Sequence, residues 1–146
     1  MIYSFELTAN PAEPDIAYIK NKLFQFNLQH TEDDQHTLLV IFIRNDSGEL
    51  IGGLLGETYW RWLHINILWV LEGYRSTGLG KQLMAKAEAE AISRGCQHAD
   101  VDTMDFQAPG FYQQLGYSVW GVLEDLPPGH RRIFLKKDLV IENSQQ

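Results

Sequence analysis

The stretch Val70-Leu71-Glu72-Gly73-Tyr74-Arg75-Ser76-Thr77-Gly78-Leu79-Gly80-Lys81 carries the residue types and spacing best suited to binding chemistry. A β-rich run ends near Val70 and a segment rich in Ala, Glu, Lys and Leu begins at Gly80, so the glycines fall where a strand would feed a helix. The first backbone N–H groups of a helix have no acceptor within it, and the helix dipole adds partial positive charge there. Main chain alone can hold a phosphate at such a place; Gly78 and Gly80 would let the backbone come close, and Arg75 and Lys81 would add charge. The same letters also suit a plain turn capped by Ser76 or Thr77. Two other phosphate loops fail on residue type. A P-loop needs Gly where Arg75 stands and Ser or Thr where Gln82 stands, and a dinucleotide fingerprint needs Gly at Leu83.

Periodicity predicts the elements that must position this loop. Ile2 to Leu7 alternates apolar and polar as a half-buried strand would, and Pro11 and Pro14 introduce a helix with apolar positions at Ile16, Ile19, Leu23, Phe24 and Leu28. Leu38 to Ile43 is a β-rich run, Asn45-Asp46-Ser47-Gly48 is turn chemistry, and Leu50 to Tyr59 completes a hairpin. The next strand, Trp62 to Leu71, would place Leu63, Ile65, Ile67 and Trp69 on one face and His64, Asn66, Leu68 and Val70 on the other. Gly80 to Arg94 shows a helical stripe through Leu83, Met84, Ala87, Ala91 and Ile92 that stops at Gly95. A strand at Ala99 to Met104, a short helix near Ala108 to Leu115, and strands at Tyr117 to Leu123 and Arg131 to Lys137 follow. The order is β-α-β-β-β-α-β-α-β-β, an α/β (α+β) mixed sheet with helices on its faces. Residues 1–140 read as one domain and 141–146 as a flexible polar tail.

Two signatures in this order carry a resemblance. Arg75-Ser76-Thr77-Gly78-Leu79-Gly80 resembles the Arg/Gln-x-x-Gly-x-Gly/Ala signature of the GNAT superfamily of N-acetyltransferases. Phe111-Tyr112-Gln113-Gln114-Leu115-Gly116-Tyr117 resembles its aromatic-Tyr helix closing on Gly-Phe/Tyr. The element order matches that fold from end to end. The resemblance implies acetyl-CoA as co-substrate, with its pyrophosphate on the backbone of Arg75, Ser76, Thr77, Gly78, Leu79, Gly80 and Lys81. It also implies a pantetheine arm paired with the main chain of Leu68, Trp69 and Val70, and further coenzyme contacts at Asp105, Ala108 and Phe111. The chain departs from the pattern at Glu72, where Pro is common, and at Asp105, where Asn is common. Tyr112 matches the tyrosine that acts as general acid toward the coenzyme sulfur. A homodimer is one arrangement the resemblance allows.

A thioester is already activated, so transfer needs a neutral amine placed near the carbonyl carbon, a stabilised oxyanion and a proton for the thiolate. Glu57, near a strand end, and His64, sharing a face with Asn66, are the residues that could take the amine's proton; either could equally be an ordinary hydrogen-bonded strand residue. Tyr59, Trp60 and Trp62 could wall an acceptor site, and Glu124, Asp125 and His130 could rim it, or pack and connect without touching it. The competing function is a non-catalytic acyl-CoA-binding or sensing module of the same fold.

Cys96 cannot form an internal disulfide, and only the nearby His98 offers it a base; Gly-x-Ser-x-Gly is absent. His30, His36 and His98 lack ligand spacing, so no metal is expected. A formal charge of −7 and a pI near 5.1 disfavour nucleic acid, whose binding draws on Lys and Arg. No apolar run approaches the roughly 20 residues needed to span a bilayer, and no leader pattern opens the chain, so no membrane partner and a cytoplasmic location are expected. The acceptor reads as a small-molecule or peptide amine.

Overall fold

The computed structural model describes residues 2–139, which fall into two compact units, 2–33 and 34–139. The expected tail, 141–146, lies outside the described residues. In the first unit, helix α1 runs over Glu13–Leu28; a proline sits in its first turn, where a missing N–H costs nothing, and Glu13 and Asp15 meet the positive end of the dipole. The strand expected at Ile2 to Leu7 does not form: these residues have no ladder partner among the described residues, and Ile2, Phe5 and Leu7 are almost wholly exposed. Alternation marks a segment able to lie on a sheet, but a strand also needs a neighbour's N–H and C=O groups.

The second unit is built from β1 (Thr37–Arg44), β2 (Leu50–Tyr59), β3 (Trp62–Val70), α2 (Leu79–Ser93), β4 (His98–Met104), α3 (Pro109–Gln114), β5 (Ser118–Glu124) and β6 (Arg131–Asp138). Asn45 forms the first turn, its Oδ1 accepting from the amides of Ser47 and Glu49. The six strands lie in the order β1-β2-β3-β4-β6-β5, all neighbours antiparallel except β3 and β4. Helix α2 makes that parallel crossover. Its buried stripe, Leu83, Met84, Ala87 and Ala91, packs on Leu39, Leu54, Leu63, Ile65, Ala99, Val101 and Leu135. Each fully buried leucine there stabilises the fold by about 1.5–3 kcal/mol. Arg94 ties the end of α2 to the sheet, donating from Nη1 to the Leu38 carbonyl and to Oγ1 of buried Thr58.

One irregularity changes how β3 is read. Gly56 pairs with Ile65 but Leu55 pairs with Ile67, so Asn66 is the extra residue of a β-bulge. The bulge inverts the side-chain phase. Leu63 and Ile65 are core residues before it, but Leu68 and Val70 pack on the core after it, while Ile67 and Trp69 are exposed. The uninterrupted alternation expected for this strand is therefore wrong from Asn66 onward. Gly56 makes room for the bulge, since a Cβ there would stand 2.7 Å from the His64 carbonyl oxygen.

Candidate active site

The loop between β3 and α2 is folded by two left-handed residues, Ser76 at φ 64° and Gly78 at φ 86°. Gly78 is the N-cap of α2 and no side chain caps the helix. The N–H of Arg75 bonds to the Glu72 carbonyl, and intrahelical bonding begins with Gln82 donating to Gly78. Among the described residues, none of the six amides from Ser76 to Lys81 has an intramolecular acceptor. Six consecutive unpaired donors around a helix mouth are an arrangement able to hold an anion. Thr77, expected as a possible cap, instead donates from Oγ1 to the Tyr74 carbonyl at 2.6 Å. Arg75 donates from Nε to the Val70 carbonyl at 2.8 Å, which braces the loop against the end of β3.

Beside this mouth the ladder between β3 and β4 stops short. β3 pairs with β4 only over Trp62–Ile65 against His98–Val101. Beyond the bulge residue, Ile67 to Val70 keep their ladder to β2 but have none toward β4, while Asp102 to Met104 are held by β6 on their far side. Two facing strand edges without a ladder between them can accept an extended, amide-bearing chain, and Leu68, Trp69 and Val70 line one of them.

Phe111 and Tyr112 lie on α3, whose entry is set by Gln107: its Oε1 accepts from Oγ1 of Thr103 and from the amide of Met104, and Ala108 donates to Thr103. Phe111 reaches back to the loop, with its ring 3.3 Å from where a Cβ on Gly80 would be. Gly80 is therefore small for the sake of Phe111 as well as the loop. Tyr112 is buried, 5% exposed, with edge-on ring contacts to Phe111 and Tyr117. Its hydroxyl makes no hydrogen bond among the described residues, where no fully buried polar side-chain atom lacks a partner, so that oxygen touches solvent. Burial, with Asp102 adding, pushes its phenol up to about 12. Tyr117, equally buried, is tied to Glu88 at 2.9 Å; burial and that carboxylate hold its proton firmly in place. Of the two tyrosines, only Tyr112 has a hydroxyl free to meet a ligand.

Glu57, His64, Asp100 and Lys136 are successive cross-strand partners on β2, β3, β4 and β6. His64 donates from Nδ1 to Asp100, 2.9 and 3.0 Å from its two oxygens, leaving Nε2 without a partner among the described residues. That hydrogen bond raises the His64 pKa, burial opposes it, and the charges of Asp100, Glu57 and Asp102 add to the rise. Glu57 accepts from Nε2 of His36 at 2.8 Å. Asp105 has both oxygens engaged, by Nδ1 of His130 and by the amide of Arg131. Asp125 caps the amide of Gly129 within its own turn. Cys96 is buried and burial raises its pKa, while His98 bonds to Asp138 instead, so the pair expected as the weak nucleophile reading is not assembled. Among the described residues, no group of three or more His, Cys, Asp or Glu is placed to hold a metal ion, and no helix is long and apolar enough to cross a membrane.

Sequence reasoning missed Asp100, Gln107 and the bulge at Asn66. The alternation of His98, Asp100 and Asp102 was a signal for the first, but its partner depends on parallel register, which the letters do not carry.

Comparison with known proteins agrees with this geometry. A family model described as "Acetyltransferase (GNAT) family" matches residues 2–117. A blasticidin-S acetyltransferase of Streptomyces morookaense is 50% identical over 95 residues, 64% of this chain and 70% of that protein. An acetyltransferase of Agrobacterium fabrum (strain C58) is 37% identical over 119 residues, 82% of this chain and 87% of its own. The crystal structure of an acetyltransferase from Bacillus cereus superposes with a TM-score of 0.82 at 36% identity, covering 92% of this chain and 98% of that one. With most of its length matched and a six-stranded sheet of the same fold, the chain belongs to the GNAT family of acetyltransferases.

Proposed function

We propose that this acetyltransferase is an acetyl-CoA-dependent N-acetyltransferase acting by direct attack of a primary amine, and that residues 1–140 work as one domain. The family match from residue 2 to 117 crosses both units, which supports the second point. The observation that carries the first is the run of six unpartnered amides at Ser76 to Lys81, opening onto the unladdered edge at Asn66 to Val70. Acetyl-CoA, when bound, supplies an activated thioester: the amine forms the new C–N bond, the C–S bond breaks, and coenzyme A leaves as a thiolate that takes its proton from solvent.

The chain's residues take the remaining roles. The amides of Ser76 to Lys81 bind the diphosphate, with Arg75 bracing the loop. Main chain at Leu68, Trp69 and Val70 pairs with the pantetheine arm and polarises the carbonyl. Phe111 and Ala108 shape the far wall. Asp105 reaches the coenzyme only by giving up its bond to His130. His64, with Nδ1 held by Asp100, receives the amine's proton on Nε2, and Glu57 beside it favours the charged imidazolium that results. Tyr112 is the acid, donating its proton into a hydrogen bond with the departing sulfur. The acceptor is a small-molecule amine; that a relative is a blasticidin-S acetyltransferase supports antibiotics as the first compounds to try.

Thiol release from acetyl-CoA across a panel of amines including blasticidin S, beside a thermal shift with coenzyme A, tests the reading. Release with at least one amine, and a shift, are expected. A shift without release on any amine would mean a binding module, and no shift would remove the coenzyme site.

A further inference from the structure

A cavity of about 540 Å³ opens on the face of the sheet that carries His64 and is lined by Tyr59, Trp60, Trp62, Asp100, Trp120 and Lys136. Two of its three tryptophans are placed by backbone irregularities. Trp60 and Arg61 form the two-residue turn between β2 and β3, both at positive φ, 45° and 64°, a conformation that bulky residues rarely adopt and that Asn-Gly would take without strain. The amide of Trp60 donates to the Asp34 carbonyl, which holds the turn in place. From the other side of the sheet, Trp120 is the extra residue where the register of β5 against β6 shifts between Val119 and Gly121. Such a bulge re-aims a side chain. Trp120 remains 59% exposed although the Phe134 ring, from the strand beside it, lies 5.6 Å away.

The floor links this cavity to the proposed chemistry. Asp100 lines it and also holds Nδ1 of His64. Trp62 and His64 are two residues apart on one face of β3, about 7 Å along the strand. Lys136, the cross-strand partner of Asp100, puts an ammonium in the wall that makes no ion pair among the described residues, so a second cation on the acceptor is disfavoured there.

We propose that this cavity is the acceptor subsite and that it selects amines carrying a planar ring about 7 Å from the reacting nitrogen, the ring stacking on Trp120 and Trp62. The identification of the bound end as an acceptor rests on the transferase reading; the ring specificity does not. Because three of the four tryptophans line the cavity, intrinsic fluorescence reports on its occupancy.

The test compares 4-phenylbutylamine with 4-cyclohexylbutylamine by fluorescence titration, on the natural chain and on Trp120→Ala and Trp120→Phe, with the thermal shift caused by coenzyme A as the check on folding. Stacking predicts that the phenyl compound binds more tightly than the cyclohexyl one. Trp120→Ala should weaken the phenyl compound about fivefold to a hundredfold, and Trp120→Phe should restore most of the loss. Equal binding of the two amines, no binding of either, or phenyl binding unchanged in Trp120→Ala at an unchanged coenzyme shift would overturn the proposal. Ring-selective binding without acetylation of the bound amine would leave it standing and count against the transferase reading alone.

Discussion

Replacing Tyr112 by Phe removes one oxygen and little else. The edge-on contacts of the ring, at 5.1 Å to Phe111 and 6.0 Å to Tyr117, survive in phenylalanine, and the hydroxyl has no hydrogen-bond partner among the described residues to orphan. The size of the kinetic effect follows from the acidity of the phenol. Its pKa is pushed up to about 12, whereas an ordinary thiol sits at about 8.5, so complete proton transfer to a free thiolate would be uphill by about 5 kcal/mol. What the hydroxyl can supply is a hydrogen bond donated to the charge growing on sulfur, about 1.5–3 kcal/mol. Its loss should slow turnover about 10- to 150-fold. The assay is kcat for thiol release at saturating acetyl-CoA and acceptor, with coenzyme A binding followed by thermal shift and expected to stay nearly unchanged. An unchanged kcat would take Tyr112 out of the mechanism. A fall beyond about a thousandfold would show that the proton is fully transferred and that this acidity argument is wrong.

Other perturbations separate the roles of the loop, the bulge and the histidine. The base must be neutral, and Asp100 raises the His64 pKa from 6.5, so the acid limb of the kcat/KM profile should lie above pH 6.5; Asp100→Asn should move it to lower pH, and an unmoved limb would exclude His64 as the base. The same pair stabilises the charged imidazole. The stability deficit of Asp100→Asn should therefore be complete below pH 6.5 and shrink as pH rises through the raised His64 pKa, as chemical denaturation at several pH values can check. Gly78→Ala meets no neighbour within 4 Å and pays only for its left-handed backbone, about 1–2 kcal/mol; a melting temperature unchanged within error would contradict the φ of 86°. Gly56→Ala drives a Cβ into the His64 carbonyl, and should lose about 1–3 kcal/mol and lower turnover as well, since the strand that carries His64 must shift.

The helix α2 and the loop before it were legible because a 3.6-residue stripe and two glycines are local signals, and the same holds for α3 and its closing Gly116-Tyr117. The strands were legible within a residue or two, but not their neighbours: nothing in the letters inserts β6 between β4 and β5, and that insertion is what holds β4 while its other edge opens. The bulge at Asn66 was illegible for a related reason, since it exists only as a register shift between two strands; apolar residues on both sides of it hide the change of phase. Ile2 to Leu7 shows the opposite failure, a good alternation with no partner to complete it. The resemblance singled out Tyr112 from the letters, but that Tyr117 is tethered while the Tyr112 hydroxyl stays open depends on the position of Glu88 on α2, which no local pattern gives. Trp120 gave no signal, because its role depends on sharing a cavity with Trp60 and Trp62 across the intervening β4 and β6.

A crystal structure of the chain with coenzyme A is the most direct trial of this account. It should place the diphosphate within hydrogen-bond distance of the amides between Ser76 and Lys81, the pantetheine along Asn66 to Val70, and the sulfur beside the Tyr112 hydroxyl. A diphosphate bound anywhere else, with those six amides still facing water, would contradict it.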